Sequence, residues 1–105
     1  MVSIEDLKNS YDRIQEHLVK TSIITSANLN QELNANIFLK NEVEQLTGSF
    51  KIRGALSALS NLKLQGIKGV VAYSSGNHAQ GVSKAAQIYG MHAIIVMPED
   101  APTNK

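Results

Sequence analysis

A chain of 105 residues with 43% hydrophobic side chains holds enough apolar material for one domain with a buried core. Its 10 basic and 9 acidic residues are scattered and leave a formal charge of +1, so they build no field for nucleic acid or an anionic membrane surface. Cysteine is absent, which excludes disulfides and thiolate chemistry and fits a reducing, cytoplasmic setting; the acidic, amphipathic start MVSIEDLKNS is unlike a secretory leader, and no apolar run approaches a membrane span.

Ser3 followed by Asp6 has the form of a capping box, and Ile4, Leu7, Tyr11, Ile14 and Leu18 then recur at spacings of three and four. The pattern predicts an amphipathic helix that ends near Val19 and lies against its own domain. Residues 20–31, rich in Thr, Ser and Asn, read as a loop leading into a weaker segment that includes Leu29 and Leu33. Residues 36–40 (NIFLK) read as a short strand, and residues 41–47 as a loop without a clean period.

Gly48 and Ser49 suit a helix start, with Ser49 as the expected N-cap and Phe50 and Lys51 in the first turn. Ile52, Ala55, Leu56, Leu59 and Leu62 form the apolar face that follows, and Gly66 is the expected stop. Residues 69–73 read as a buried strand, residues 77–89 as a helix closed by Gly90, and residues 93–97 as a second strand stopped by Pro98. Strand, helix and strand of these lengths make one βαβ unit with parallel strands. Gly81 inside that helix is unfavourable by about 1 kcal/mol relative to alanine, which points to the close approach of another backbone.

Two polar clusters can carry chemistry. The stretch 73–81 (YSSGNHAQG) lies where a strand ends and a helix begins, the place where open parallel sheets bind ligands. Free N–H groups and the dipole at that helix start favour an anion, so Ser74, Ser75, Gly76 and Asn77 form a plausible carboxylate or phosphate cradle; simple capping of the helix by Ser and Asn is the equal alternative. In the second cluster, GSFKIRG at 48–54, Lys51 stands in the first turn of a helix beside an aromatic ring. The helix dipole together with burial would lower its pKa and make it a nucleophile toward carbonyls, against the plainer reading of a solvated lysine.

Other readings have less support. Neither the dinucleotide fingerprint nor the P-loop is present. Ser75 and His78 lack the nucleophile elbow of a serine hydrolase, and His17, His78 and His92 show no metal-ligand spacing, so no metal is expected.

The segments TGSFKIRGA (47–55), SSGNHAQG (74–81) and VMPEDAPTNK (96–105) resemble, in order and spacing, the pyridoxal-phosphate enzymes of the tryptophan-synthase-β fold type, in the threonine/serine dehydratase and serine racemase branch. The resemblance extends over nearly the whole chain, with residues 41–46 the least typical part. It implies an α/β fold, part of an open parallel sheet, with one βαβ unit plus an N-terminal helix and a lysine-bearing helix. It also implies that residues 1–64 open a large cofactor domain and residues 65–105 a small substrate-loop domain, both incomplete.

By that resemblance the cofactor is pyridoxal 5′-phosphate, Lys51 is the lysine to which it is attached and which removes the α-proton, and Phe50 packs near its ring. Asn77 resembles the asparagine that bonds the ring hydroxyl, while Ser74, Ser75, Gly76, Asn77 and His78 resemble the loop that grips the substrate carboxylate. His78, where the cysteine synthase branch usually has threonine, favours a dehydratase or racemase. Ser75 stands where racemases carry an acid/base serine on the opposite face, so some racemisation is an alternative to a purely capping role.

The resemblance implies elimination of ammonia from L-threonine or L-serine, a small amino-acid substrate, no nucleic-acid or membrane partner, and a homo-oligomer. The seven glycines are isolated, so no phosphate-binding glycine run is present. The chain is therefore expected to be an N-terminal fragment that exposes apolar faces and is inactive alone, with a non-catalytic anion- or partner-binding chain as the remaining alternative.

Overall fold

The computed structural model describes residues 1–101. The last four residues of the 96–105 run therefore lie outside the described residues. Four helices, α1 (Ile4–Ile14), α2 (Ala27–Leu33), α3 (Lys51–Leu64) and α4 (Asn77–Tyr89), are joined by two small sheets. An antiparallel ribbon pairs β1 (Ile23–Ile24) with β2 (Leu39–Lys40), and a parallel pair joins β3 (Gly69–Tyr73) to β4 (His92–Val96), from Gly69 opposite His92 to Tyr73 opposite Val96. Parallel strands need a crossover, and α4 supplies it.

The capping box forms as expected: the Asp6 N–H donates to the Ser3 hydroxyl, and the Ser3 N–H donates back to the Asp6 carboxylate. The helix itself stops at Ile14, earlier than the apolar spacing suggests, and a short 3₁₀ turn over residues 15–17 follows. The stop has a side-chain cause. The buried Gln45 amide accepts from the Val19 N–H and donates to the Val19 carbonyl, both at 3.0 Å, which holds that residue outside the helix. Only the end of the apolar stripe is covered, since Ile14 is buried and Leu18 half-buried while Ile4, Leu7 and Tyr11 are exposed.

The expected strand over 36–40 shrinks to β2. Ile37 is occupied elsewhere, its N–H donating to the Asn30 side chain and its carbonyl accepting from the Thr25 hydroxyl. Residues 42–44 of the expected loop form a 3₁₀ turn.

One core organises the rest. Ile52, Ala55, Leu56 and Leu59 of α3 pack with Val82, Ala85 and Ala86 of α4, and Ile14 joins them from α1. Ile52 and Leu56 are fully buried, each burial contributing about 1.5–3 kcal/mol. Both helices end in left-handed glycines, Gly66 and Gly90, which let the next two N–H groups fold back: Ile67 onto Leu62 and Met91 onto Ala86.

Strand side chains alternate, and α4 covers one face of the β3–β4 pair. Val70, Ala72, Ala93 and Ile95 turn to the core, whereas Val71, Tyr73, Ile94 and Val96 are exposed. Residues 69–73 are thus a strand buried on one face, because the described residues supply no second layer.

Gly81 meets the backbone its sequence position calls for. A Cβ built there would lie 3.2 Å from the Lys51 carbonyl carbon and oxygen and 3.3 Å from the Ile52 nitrogen. The last residue of SSGNHAQG therefore sits against the peptide of the motif lysine, 30 residues away in sequence.

Candidate active site

Lys51 is the first residue of α3 and is exposed, so the burial invoked for it is not met. Its ammonium lies 5.3 Å from the centroid of the Phe50 ring, a cation–π contact that keeps the amine beside the aromatic face. Phe50, not Ser49, occupies the cap position, and it offers no side-chain bond to the helix. A tight turn precedes it, closed by the Gly48 N–H on the Gln45 carbonyl at 2.7 Å. Ser49 is carried into the interior, where its hydroxyl and that of Thr47 have no hydrogen-bond partner among the described residues.

The loop after β3 begins as a continuation of the sheet, with the Ser74 N–H donating to the Val96 carbonyl at 3.0 Å. The Ser74 hydroxyl then accepts from the Gly76 N–H at 3.2 Å. That bond tightens the loop one position ahead of α4. It does not cap the helix, whose cap residue is Gly76 itself. Ser74, Ser75 and Gly76 are half-buried, and Asn77 and His78 are exposed.

The two helix starts meet at a cavity of about 240 Å³ lined by Phe50, Lys51, Gly54, Ala55 and His78. The structure thus brings three of the expected residues, Phe50, Lys51 and His78, to one hollow. Ser74, Ser75, Gly76 and Asn77 adjoin it along the chain without lining it. A Cβ at Gly54 or Gly76 would meet nothing within 4 Å, so open space remains beside both the lysine helix and the loop.

The donor set fits a cofactor aldehyde and an anionic substrate. A primary amine stands in the open, the α4 start lacks a side-chain cap, and an aromatic face lies between them and a second cavity of about 460 Å³. Among the described residues no cluster of His, Asp and Glu converges as metal ligands would, and no helix is long and apolar enough to cross a membrane.

A polar network behind α3 was not foreseen. Arg53, two residues after Lys51, donates from Nε and Nη2 to the two Glu42 carboxylate oxygens, each at 2.7 Å. The Thr21 hydroxyl donates to the same carboxylate at 2.8 Å, and the Lys40 ammonium donates to the Thr21 carbonyl. The Arg53 hydrogen bond brings the Glu42 carboxyl down to about 2, with Thr21 and the charges of Arg53 and Lys40 assisting against the opposing effect of burial. This clamp ties the first turn of α3 to the β1–β2 ribbon. The pairing of an acid at 42 with an arginine at 53 follows no helical or strand period, so no signal in the sequence marked it.

Comparison with known proteins adds an independent line. The family profile described as "Pyridoxal-phosphate dependent enzyme" matches residues 14–105. The chain is 46% identical over 101 residues to an L-threo-3-hydroxyaspartate ammonia-lyase of Saccharomyces cerevisiae, covering 95% of this chain and 31% of that protein. It is 45% identical over 106 residues to an L-threonine ammonia-lyase of Thermotoga maritima, covering 100% of this chain and 26% of that one. The crystal structure of serine racemase from Dictyostelium discoideum superposes with a TM-score of 0.90 at 38% identity, over 98% of this chain and 34% of that one. The chain spans about a third of the length of the curated relatives it matches.

Proposed function

Because the chain belongs to the pyridoxal-phosphate-dependent enzyme family, we propose that it forms the lysine-bearing and substrate-gripping part of an ammonia-lyase that acts on L-threonine or L-serine. The observation that carries this reading is the cavity where Lys51 and His78 meet, with Phe50 at its wall. Relatives named for ammonia-lyase activity on threonine and on hydroxyaspartate support a β-hydroxy amino acid as substrate.

Pyridoxal phosphate, when bound, withdraws electrons from the substrate's α-carbon and so makes its C–H bond acidic. The chain's own residues do the remaining work at this end of the site. Lys51 Nζ would hold the cofactor, and its amine, when free, would take the substrate's α-proton. Phe50 would pack against the cofactor ring, and Asn77 would hold the ring hydroxyl. The Ser74 hydroxyl and the N–H groups of the 74–78 loop grip the substrate carboxylate, which turns the α-C–H bond toward Lys51. Loss of that proton and of the β-hydroxyl, followed by hydrolysis, yields a 2-oxo acid and ammonia. The rest of the cofactor, its phosphate above all, is assigned to parts of the enzyme beyond these residues, with the large domain opened by residues 1–64 and the small one by residues 65–105. Homo-oligomeric assembly and a cytoplasmic setting belong to the same reading.

Ser75 supports a second activity. It sits half-buried in the loop, and protonation of the substrate from its side would invert the α-carbon and give a racemase. The test is to incubate the holoenzyme containing this segment with L-threonine and L-serine and to measure 2-oxo acid and D-amino acid separately. Formation of 2-oxo acid and ammonia as main products supports the lyase; D-serine without 2-oxo acid would replace it with the racemase; neither product would overturn both.

A further inference from the structure

Gly81 lies on α4 three residues after His78, on the same helical face, and directly against the Lys51 peptide. A single methyl there would press to 3.2 Å on the Lys51 carbonyl carbon and oxygen. These are backbone atoms within the first turn of a helix and have no rotamer by which to move aside. The contact falls one turn below the cavity that holds Lys51 and His78. Further along, the same two helices are separated by ordinary apolar side chains, among them Leu59, Ala85 and Ala86. At the level of the lysine the pair meets backbone to backbone, with no side chain between.

We propose that Gly81 is a positioning residue for Lys51: by letting α4 touch the lysine's own peptide, it fixes the distance between the amine and the 74–78 loop. This rests on the assignment of Lys51 as the cofactor-bearing lysine and adds to it the element that sets the amine's reach. A glycine disfavoured in a helix interior is kept because alanine, the better helix former, would force the two helix starts apart by a few tenths of an ångström. Because the loop and the lysine belong to different helices, that separation changes the alignment of proton donor and acceptor while leaving every side chain of the site in place.

The test compares Gly81→Ala with Leu59→Ala in the holoenzyme, by cofactor titration followed in the visible absorption band, by kcat and KM, and by thermal melting. Small misplacements at a reacting centre are costly, so Gly81→Ala is expected to weaken cofactor binding and lower kcat by about tenfold or more with KM changed by less than about twofold. Leu59→Ala, which removes core volume away from the lysine, is expected to lower Tm while leaving the band and kcat unchanged. Parallel behaviour of the two variants, with Tm the main change in both, would overturn the positioning role. If Gly81→Ala does not accumulate as folded enzyme, Ile52→Val trims the fully buried side chain of the residue whose nitrogen also meets Gly81: a raised cofactor Kd supports the proposal, and a lowered Tm with unchanged Kd overturns it. A wild-type enzyme that carries no cofactor on Lys51 would instead overturn the underlying assignment, so the two failures are distinguishable.

Discussion

Helices α1 and α2 begin under side-chain caps, from Ser3 and Ser26, whereas α3 and α4 begin without them although serines stand nearby at 49, 74 and 75. The capped pair lies at the periphery and has one buried residue between them, Ile14. The uncapped pair forms the core and meets at the cavity. Capping satisfies N–H groups that a ligand would otherwise find open. The contrast teaches that a serine near a helix start need not cap it: Ser49 is buried and Ser74 accepts from the Gly76 N–H within its loop.

The largest expected effect comes from Lys51. Lys51→Ala should abolish the cofactor's visible band and lower turnover by at least about a thousandfold, since the variant loses both the attachment point and the base; retention of the band would remove α3 from the site. Next comes a crossed comparison of serines. Ser74→Ala should raise KM for the amino acid by about tenfold, the worth of one hydrogen bond to a charged group, with a small change in Tm. Ser3→Ala should do the reverse, destabilising by about 1 kcal/mol with kinetics unchanged. Equal kinetic effects, or equal melting shifts, would erase the distinction between the two kinds of start.

Ser75→Ala should lower any racemisation while sparing elimination, measured as the ratio of D-amino acid to 2-oxo acid. A proportional loss of both would return Ser75 to a scaffold role. The smallest expected effect is in acid. Ser3 holds the Asp6 carboxyl below its ordinary value, and Arg53 holds Glu42 at about 2. Both groups have folded values depressed below the unfolded ones. Their stabilisation is therefore complete above the unfolded carboxylate range and fades as pH falls toward 2. The start of α4 carries no acid in its first turn, so acid approaching pH 2 should loosen the α1 cap and the Glu42 clamp, and with the clamp the first turn of α3, before it affects the start of α4, as hydrogen exchange at Asp6 and at His78 would register.

Local features were legible in the sequence. The capping box needed only residues 3 and 6, the βαβ unit only its period and punctuation, and Gly81 declared a close approach by its cost. What it approached was not legible, because Lys51 is 30 residues distant and no spacing rule links them. Ser49 misled for a related reason: its type suits a cap, but the turn closed between Gln45 and Gly48 rotates it into the interior and hands the position to Phe50. Residues 69–73 read as uniformly apolar, and only the placement of α4 shows that Val71 and Tyr73 face outward. The Thr21–Glu42–Arg53 clamp joins three segments through side chains alone, a pattern that no periodicity encodes.

The central claim is that Lys51, held at the open start of α3 against Gly81, is the residue that carries the cofactor. Borohydride reduction of the holoenzyme followed by peptide mass mapping tests it most directly. The expected result is a single pyridoxyl-phosphate adduct on the peptide containing Lys51; an adduct on Lys63, Lys68 or Lys84 in its place, or none, would contradict the account.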